Sequence, residues 1–492
     1  MVAVRVDRHL TLPDLLARRA AEQAGKTAIV VADVGEITFG DWDRRADATA
    51  RSLVDRGLSP GDRVALVFGE RDWIDYAVAW CGVLRAGCVA VPLSERSAPA
   101  EIDHAMADCG VVQTICKETS AELAANDTAP VRRGLAPENL AQIIYTSGTT
   151  GRAKGVGATH ANLAFGADPR HGKLAHSRHF LHAFPIGTNA GQTMLVNSLD
   201  ARPAALTMPM FTPGRFARLI ELHQAGTVFL VPSQAIQLLN AGVHERHDFG
   251  SVRLLGSTAA SLPPSVAAGM AEAFPKATIV NYYTSTEAAP AQIAMIVDPA
   301  RPSSVGRATR SGQQGGDLEI RTPDGAPAEP GETGEVWLRS PARSRLYYGD
   351  RQATDRVFRD GWVRMGDLGY LDDDGYLYLV DRESDVIRSG AHRVSTLQVE
   401  AALHEHPAIA EAAVAGLPHP VLGRVTGAAV VTRAPVTPAE LRTFLLARLA
   451  PHEQPRRLVF VAELPKNHLG KVVKPRLLDL IGPADTPSGR SR

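Results

Sequence analysis

Apolar positions recur at helical spacing over residues 12–21, then crowd into residues 26–31 and 36–39 on either side of Gly35, which predicts a helix followed by a hairpin. Asp41 stands where a cap is expected for a helix running to Arg56. The run 63–68 reads as a buried strand, 72–86 as a helix, and 88–91 as a second strand that Pro92 ends. Strand, helix and strand in that order make a parallel sheet. Residues 184–241 repeat the alternation, with strands at 205–208 and 228–231, a helix over 216–225 and another after Pro232. Strands at 254–256 and 278–283 complete a second doubly wound unit.

Three hairpin-like runs, 317–321, 334–339 and 361–380, predict a smaller β-rich subdomain whose turns are marked by Gly325 and Gly375. Beyond Arg382 the texture becomes compact α+β: helices over 398–406 and 438–449, strands at 409–415, 427–432 and 457–461. The expected fold is α/β, with a large N-terminal domain of doubly wound sheets over 1–381, a small α+β C-terminal domain over 382–481 and a disordered tail over 482–492.

A chain of 492 residues is too long for one core. Its 53 basic and 53 acidic residues leave no net charge, hence no field for nucleic acid or an anionic membrane, and small-molecule partners are expected. Cys81, Cys88, Cys109 and Cys116 form no C-x-x-C, so neither a zinc site nor a disulfide framework is predicted and a reduced cytoplasm fits. Charges are spread through the N-terminus and no apolar run reaches about 18 residues, so neither secretion nor a membrane span is predicted. His176, His179 and His182 recur at every third residue after His171, but no H-E-x-x-H accompanies them and 179–184 reads better as a strand, which favours core or solvated histidines over a metal. The acidic run Asp372 to Asp374 would need its first calcium ligand at Tyr370, so a hairpin turn is expected there.

Chemistry concentrates in residues 143–156, IIYTSGTTGRAKGV. Two apolar residues lead into hydroxyls, three glycines and Lys154, a composition that suits a strand opening into an anion-binding loop. It is not a Walker loop, because two residues separate Gly151 from Lys154 and Gly155 follows the lysine.

The order Y-T-S-G-T-T-G-x-x-K-G resembles the phosphate loop of the adenylate-forming superfamily, which comprises acyl- and aryl-CoA synthetases, stand-alone adenylation domains and firefly luciferase. Further motifs follow in the family's order along nearly the whole chain. The resemblance implies ATP, Mg2+ and coenzyme A, with Thr146, Ser147, Gly148, Thr149, Thr150, Gly151 and Lys154 around the phosphates. Asn281-Tyr-Tyr-Thr-Ser-Thr-Glu287 is similar to N-x-Y-G-x-T-E. That likeness implies an adenine contact at Asn281, a stacking ring at Tyr283 next to Tyr282, an α-phosphate contact at Thr286 and the metal carboxylate at Glu287. Thr258, Ala259 and Ala260 take the place of the small-residue turn beneath the nucleotide. Asp367, closing Gly361-Trp-Val-Arg-Met-Gly-Asp367, is the implied ribose ligand with Arg382 assisting. Lys471, in Pro465-Lys-Asn-His-Leu-Gly-Lys471, is the implied bridge between substrate carboxylate and α-phosphate.

In relatives the small domain swings about a hinge so that a thiol can reach the acyl-adenylate. Ser384 occupies the hinge position, and Ser389, Gly390 and Ala391 the loop lining the pantetheine tunnel. Asp381, Thr284 and Ala391 each stand where glycine is usual, which predicts that one half-reaction is weakened. No acidic residue occurs in 184–191 to pair a substrate ammonium. Gly187 and Thr188 replace an aromatic and a histidine common in acyl-CoA ligases, which, with Thr284 at the wall, implies room for a bulky or long apolar carboxylic acid unless Met208, Met210 or Phe211 fills it. The expected function is an acyl-CoA ligase working through an acyl-AMP. A loader of a carrier protein and a silent acyl-nucleotide binder stay open, as does a homodimer.

Overall fold

The helix Leu12–Gln23 begins where Thr11 accepts from the Asp14 amide and Asp14 reaches back to the Thr11 amide, and it buries Leu12, Leu15 and Leu16. The same logic starts the next helix, Phe39–Asp55, but its cap is Thr38, whose hydroxyl accepts from the Asp41 amide at 3.2 Å. Asp41, expected as the cap, instead sits in the first turn, where its charge faces the positive end of the helix. The computed structural model describes residues 11–125, 130–131, 133–146, 152–260, 262–307, 317–390, 392–467 and 470–484. Ser147, Gly148, Thr149, Thr150, Gly151 and Ala391 lie outside the described residues, as does most of the expected tail.

Two large sheets carry the first 300 or so residues. One has six strands in the order Leu346–Tyr347, Lys154–Thr159, Leu140–Thr146, Val89–Ser94, Arg63–Phe68, Val111–Ile115. The strand expected to stop at Pro92 runs through it, with Pro92 opposite Leu66. On its other edge this strand pairs with the next only at Ala90 and Gln142, so the missing proline N–H leaves no ladder bond unmade. The second sheet has eight strands and runs Ile293–Ile296, Thr278–Tyr283, Leu254–Ser257, Thr227–Leu230, His179–Leu181, Ala204–Thr207, Thr27–Val31, Gly35–Thr38. The first hairpin of the chain thus closes the edge of the second sheet, with Ile29 beside Ala205. Trp42, Trp73 and Trp80 are buried in the core shared by the first three long helices and both sheets.

Helices at Pro99–Cys109 and Asn189–Asp200 and the strand Val111–Ile115 join the elements expected from the pattern. The third sheet, Ser304–Gly306, Leu377–Arg382, Trp362–Leu371, Gly334–Arg339 and Asp317–Arg321, contains the three expected β runs. At its hairpin Asp372 accepts from the amides of Asp374 and Tyr376, a turn built on its own backbone. Residues after Arg382 form a separate sheet around Ile409–His419 and Gly423–Thr432, with Val399, Leu403 and Leu441 buried on one face and Leu417, Leu477 and Ile481 on the other. Among the described residues no helix is long and apolar enough to cross a membrane.

The crowded histidines have local explanations. His182 is buried between Phe180, Phe184 and Trp73, His176 meets the Thr227 hydroxyl at 3.0 Å, and His179 faces the His223 carbonyl at 3.3 Å.

Candidate active site

The parallel strands Leu254–Ser257 and Thr278–Tyr283 end together, with Ser257 directly opposite Asn281. Both residues are buried, and Ser257 Oγ and Asn281 Oδ1 have no hydrogen-bond partner among the described residues. An orphaned buried acceptor costs about 1–3 kcal/mol, and a ligand N–H would recover it. The exocyclic amine of adenine is such a donor, so the residues fit the nucleotide base. Immediately beyond Ser257, Ala259 is held at φ 74°, a left-handed conformation unusual for a side-chain-bearing residue. The Thr258 amide donates to Leu230 at 3.2 Å, so the turn is pinned to the neighbouring strand.

The third sheet approaches from the other side. Tyr283 donates its hydroxyl to Asp367 Oδ2 at 2.7 Å, and Arg382, cross-strand from Asp367, holds Nε 3.4 Å from Oδ1. Burial lifts the Asp367 pKa, and Arg382 and Tyr283 pull it back. Each carboxylate oxygen keeps a further lone pair, which leaves capacity for two ribose hydroxyls. Tyr282 turns its ring towards Phe229, 6.5 Å between centroids, on the sheet's inner face.

On the phosphate side Thr146 and Lys154 face each other across the mouth of the hairpin. Lys154 lies 3.6 Å from Asp350 and 5.1 Å from the centre of the Tyr347 ring, whose hydroxyl donates to Glu287 Oε1 at 3.0 Å. Burial and Glu287 together push the Tyr347 phenol well up, so it remains a donor. Glu287 offers a hard oxygen ligand suited to Mg2+. Neither Tyr347 nor the buried Arg345, which donates to the Thr286 carbonyl at 2.9 Å, stood out in the sequence. Leu346–Tyr347 adds to the first sheet beside Lys154–Thr159 from nearly 200 residues away in the chain, and nothing local announces that pairing.

Lys471 reaches this cleft from the C-terminal body. Its charge interacts with those of Arg382 and Glu287, and burial, then Arg382, lower its pKa while Glu287 opposes them. The residue as a whole nevertheless keeps contact with solvent, so the lowering reflects protein crowded around its ammonium rather than full enclosure. Its backbone forms a tight turn with Asn467, which accepts at Oδ1 from the Lys471 amide at 3.0 Å. Gly470 has φ 76°, and a Cβ there would come within 3.0 Å of Ser233 Oγ, so the turn presses against the large body.

Other expected positions also have local structural contacts. Gly187 was expected to open space for the acid, but a Cβ there would stand 3.1 Å from the Ser94 amide, and φ is 82°. Glycine therefore permits backbone contact with the end of Val89–Ser94 and a left-handed turn. Thr188 caps the helix Asn189–Asp200, accepting from Gly191 at 2.9 Å and donating to Pro185 at 2.8 Å. Thr284 donates to the Ala291 carbonyl at 2.6 Å. Ser384 Oγ meets Asp385. Ser389 and Gly390 make their described contacts within the C-terminal sheet, at Gly423 and Leu422.

A large body of two wound sheets followed by a smaller C-terminal sheet is the architecture of the AMP-binding enzymes, and the chain belongs to that family. The family described as "AMP-binding enzyme" matches residues 16–348, and "AMP-binding enzyme C-terminal domain" matches residues 398–471. It is thus an AMP-forming ligase. The chain is 31% identical over 466 residues to feruloyl-CoA synthase of an Amycolatopsis species, covering 89% of this chain and 92% of that protein. It is also 31% identical to 2-succinylbenzoate–CoA ligase of Bacillus licheniformis, over 94% and 99% of the two chains. Among solved structures it resembles o-succinylbenzoate CoA synthetase of Bacillus subtilis in complex with its acyl-adenylate intermediate, with TM-score 0.83, 26% identity and coverage of 95% and 98%. Amide bond synthetase McbA from Marinactinospora thermotolerans is similar at TM-score 0.81 and 27% identity, over 94% and 99% of the chains.

Proposed function

We propose that this protein is an ATP-dependent acyl-CoA ligase that converts a carboxylic acid to its acyl-AMP and then to the CoA thioester. The single observation that carries this reading is that the charge of Lys471, from the C-terminal sheet's side of the molecule, is coupled to those of Glu287 and Arg382. In the first half-reaction a carboxylate oxygen attacks the α-phosphorus and pyrophosphate departs. Lys471 would neutralise charge on both reacting groups, Asn281 accept from adenine, Asp367 and Arg382 hold the ribose, and Lys154 with residues 146–151 hold the outgoing phosphates. Mg2+ at Glu287 would supply further neutralisation of the phosphates. In the second half-reaction the CoA sulfur attacks the acyl carbon and AMP leaves. For this we propose that residues 382–481 turn as a small domain about Ser384, bringing Ser389 to Ala391 to the thiol's path.

For the acid we propose a bulky apolar, preferably aromatic, substrate. Support comes from the lack of an acidic residue in 184–191 and from the aromatic acid named for the feruloyl-CoA relative. The likeness to an amide bond synthetase favours a second reading, in which an amine takes the acyl group. Offering ATP and a panel of aryl, long-chain and short acids with CoA, a phosphopantetheinylated carrier protein or an amine, and weighing products by mass spectrometry, separates these. A CoA thioester with AMP is expected; an amide or an acylated carrier would reassign the acceptor, and no acyl product with any acid would leave only a nucleotide binder.

A further inference from the structure

Arg345 is 6% exposed, and its described partners are all neutral. Nε donates to Asn162 Oδ1 at 2.9 Å, and Nη1 donates to Asn189 Oδ1 at 3.0 Å and to the Thr286 carbonyl at 2.9 Å. These partners come from three parts of the chain. Asn162 is in the short helix that follows the phosphate-loop strand, and its own amide group is spent on the carbonyls of Ala289 and Arg343. Asn189 opens the helix that Thr188 caps, and Thr286 belongs to the segment placed beneath the α-phosphate.

A guanidinium kept from water without a direct carboxylate partner is costly, and a joint between neutral groups alone would not need a charge. Burial pulls the Arg345 pKa down to about 10, with Glu287 opposing, so the group is still cationic at neutral pH. This positive charge behind Thr286, offset only in part by Glu287, acts where negative charge gathers as the acid oxygen meets the α-phosphorus. The fork also fixes Thr286 against the helix Asn189–Asp200, whose start lies in the 184–191 segment read above as facing the acid, so on that reading one side chain sets the spacing between the two reacting groups.

We propose that Arg345 is a positioning residue for acyl-adenylate formation, tying the nucleotide-side main chain at Thr286 to the acid-side helix at Asn189 and supplying buried positive charge beneath the reacting atoms. The proposal rests on the AMP-forming reading above, and the two are tested separately. Wild-type protein is first assayed for acid-dependent exchange of labelled pyrophosphate into ATP; its absence overturns that reading and this proposal with it. Given exchange, Arg345→Met is expected to lower its kcat about 30-fold, less than the hundredfold or more typical of a donor that touches the transition state, with the KM for ATP within about threefold. The rate of thioester formation from supplied acyl-adenylate stays within about threefold, and Arg345→Lys, which keeps charge but not the fork, recovers part of the lost exchange. Should Arg345→Met fail to fold, Asn189→Ala removes one acceptor at a half-buried site and is expected to lower exchange kcat several-fold with Tm within a few degrees of wild type. Equal losses in both half-reactions, an unchanged exchange kcat, or a lysine variant no better than methionine would overturn the assignment.

Discussion

The hydroxyl of Tyr347 donates to Glu287 at 3.0 Å while the ammonium of Lys154 rests 5.1 Å from the same ring. One aromatic residue therefore joins the proposed metal carboxylate to the proposed phosphate lysine. A hydrogen bond to a charged acceptor is worth about 1.5–3 kcal/mol, so Tyr347→Phe is expected to raise the Mg2+ concentration for half-maximal exchange by roughly tenfold or more. The ring, and with it the Lys154 contact, stays. A magnesium titration unchanged from wild type would show that Glu287 needs no such support.

Asn281 gives a paired prediction. Its buried, unpartnered Oδ1 is a liability without nucleotide and an asset with it. Asn281→Leu, similar in size, is expected to raise stability without ligand by about 1 kcal/mol while raising the KM for ATP by about tenfold. Thermal melts and exchange kinetics on the same preparation check both. A variant that is less stable and binds ATP normally would contradict the adenine assignment.

His182 sets an acid limit on stability. It is buried among Phe180, Phe184 and Trp73, and burial pushes its pKa from 6.5 to about 3. The folded state thus keeps it neutral while the unfolded chain takes up a proton, so its contribution is full above pH 6.5 and is lost as pH falls towards 3. The loss is ~1.4 kcal/mol per pH unit well inside that window. His182→Asn, whose Oδ1 can replace Nδ1 as acceptor for the Phe184 amide, should make urea-unfolding free energy fall less steeply between pH 6 and 4 by about one proton. Parallel slopes for the two proteins would place the acid sensitivity elsewhere.

Asp381 bears on the balance of the half-reactions. Its buried carboxylate, on the strand Leu377–Arg382, accepts from the amide and the hydroxyl of Thr396 at the start of the helix Thr396–His404. It therefore fastens the C-terminal body in the present arrangement from across the proposed hinge at Ser384. Losing these two hydrogen bonds weakens the hold on the present arrangement, so Asp381→Ala is expected to slow exchange several-fold while leaving thioester formation from supplied adenylate as fast or faster. Equal slowing of both steps would mean that the contact is only structural.

These cases show where the chain could be read in advance. The strands around Asn281 and Ser257 are legible because each is a short apolar run, and 367, 382 and 471 stand out in the sequence because each belongs to a short motif whose members are neighbours in the chain. Arg345 and Tyr347 were not, since their value comes from Asn162, Asn189 and Glu287, brought together only by the pairing of Leu346–Tyr347 with a distant strand. Gly187 looks in the sequence like missing volume alone, whereas the structure adds a left-handed turn against another strand, which no local signal announces. Asp381 reads in the sequence only as a substituted glycine, and its bonds to Thr396, at the start of a helix 15 residues later, have no local signal.

The account turns on Lys471 acting at the first half-reaction, next to Glu287 and Arg382. Exchange of labelled pyrophosphate into ATP, measured with a bulky aromatic acid for wild type and for Lys471→Ala, tests it most directly. The prediction is acid-dependent exchange that falls by about a hundredfold or more in the variant, while thioester formation from supplied acyl-adenylate persists. Exchange that survives intact without Lys471, or that never depends on the acid, would contradict it.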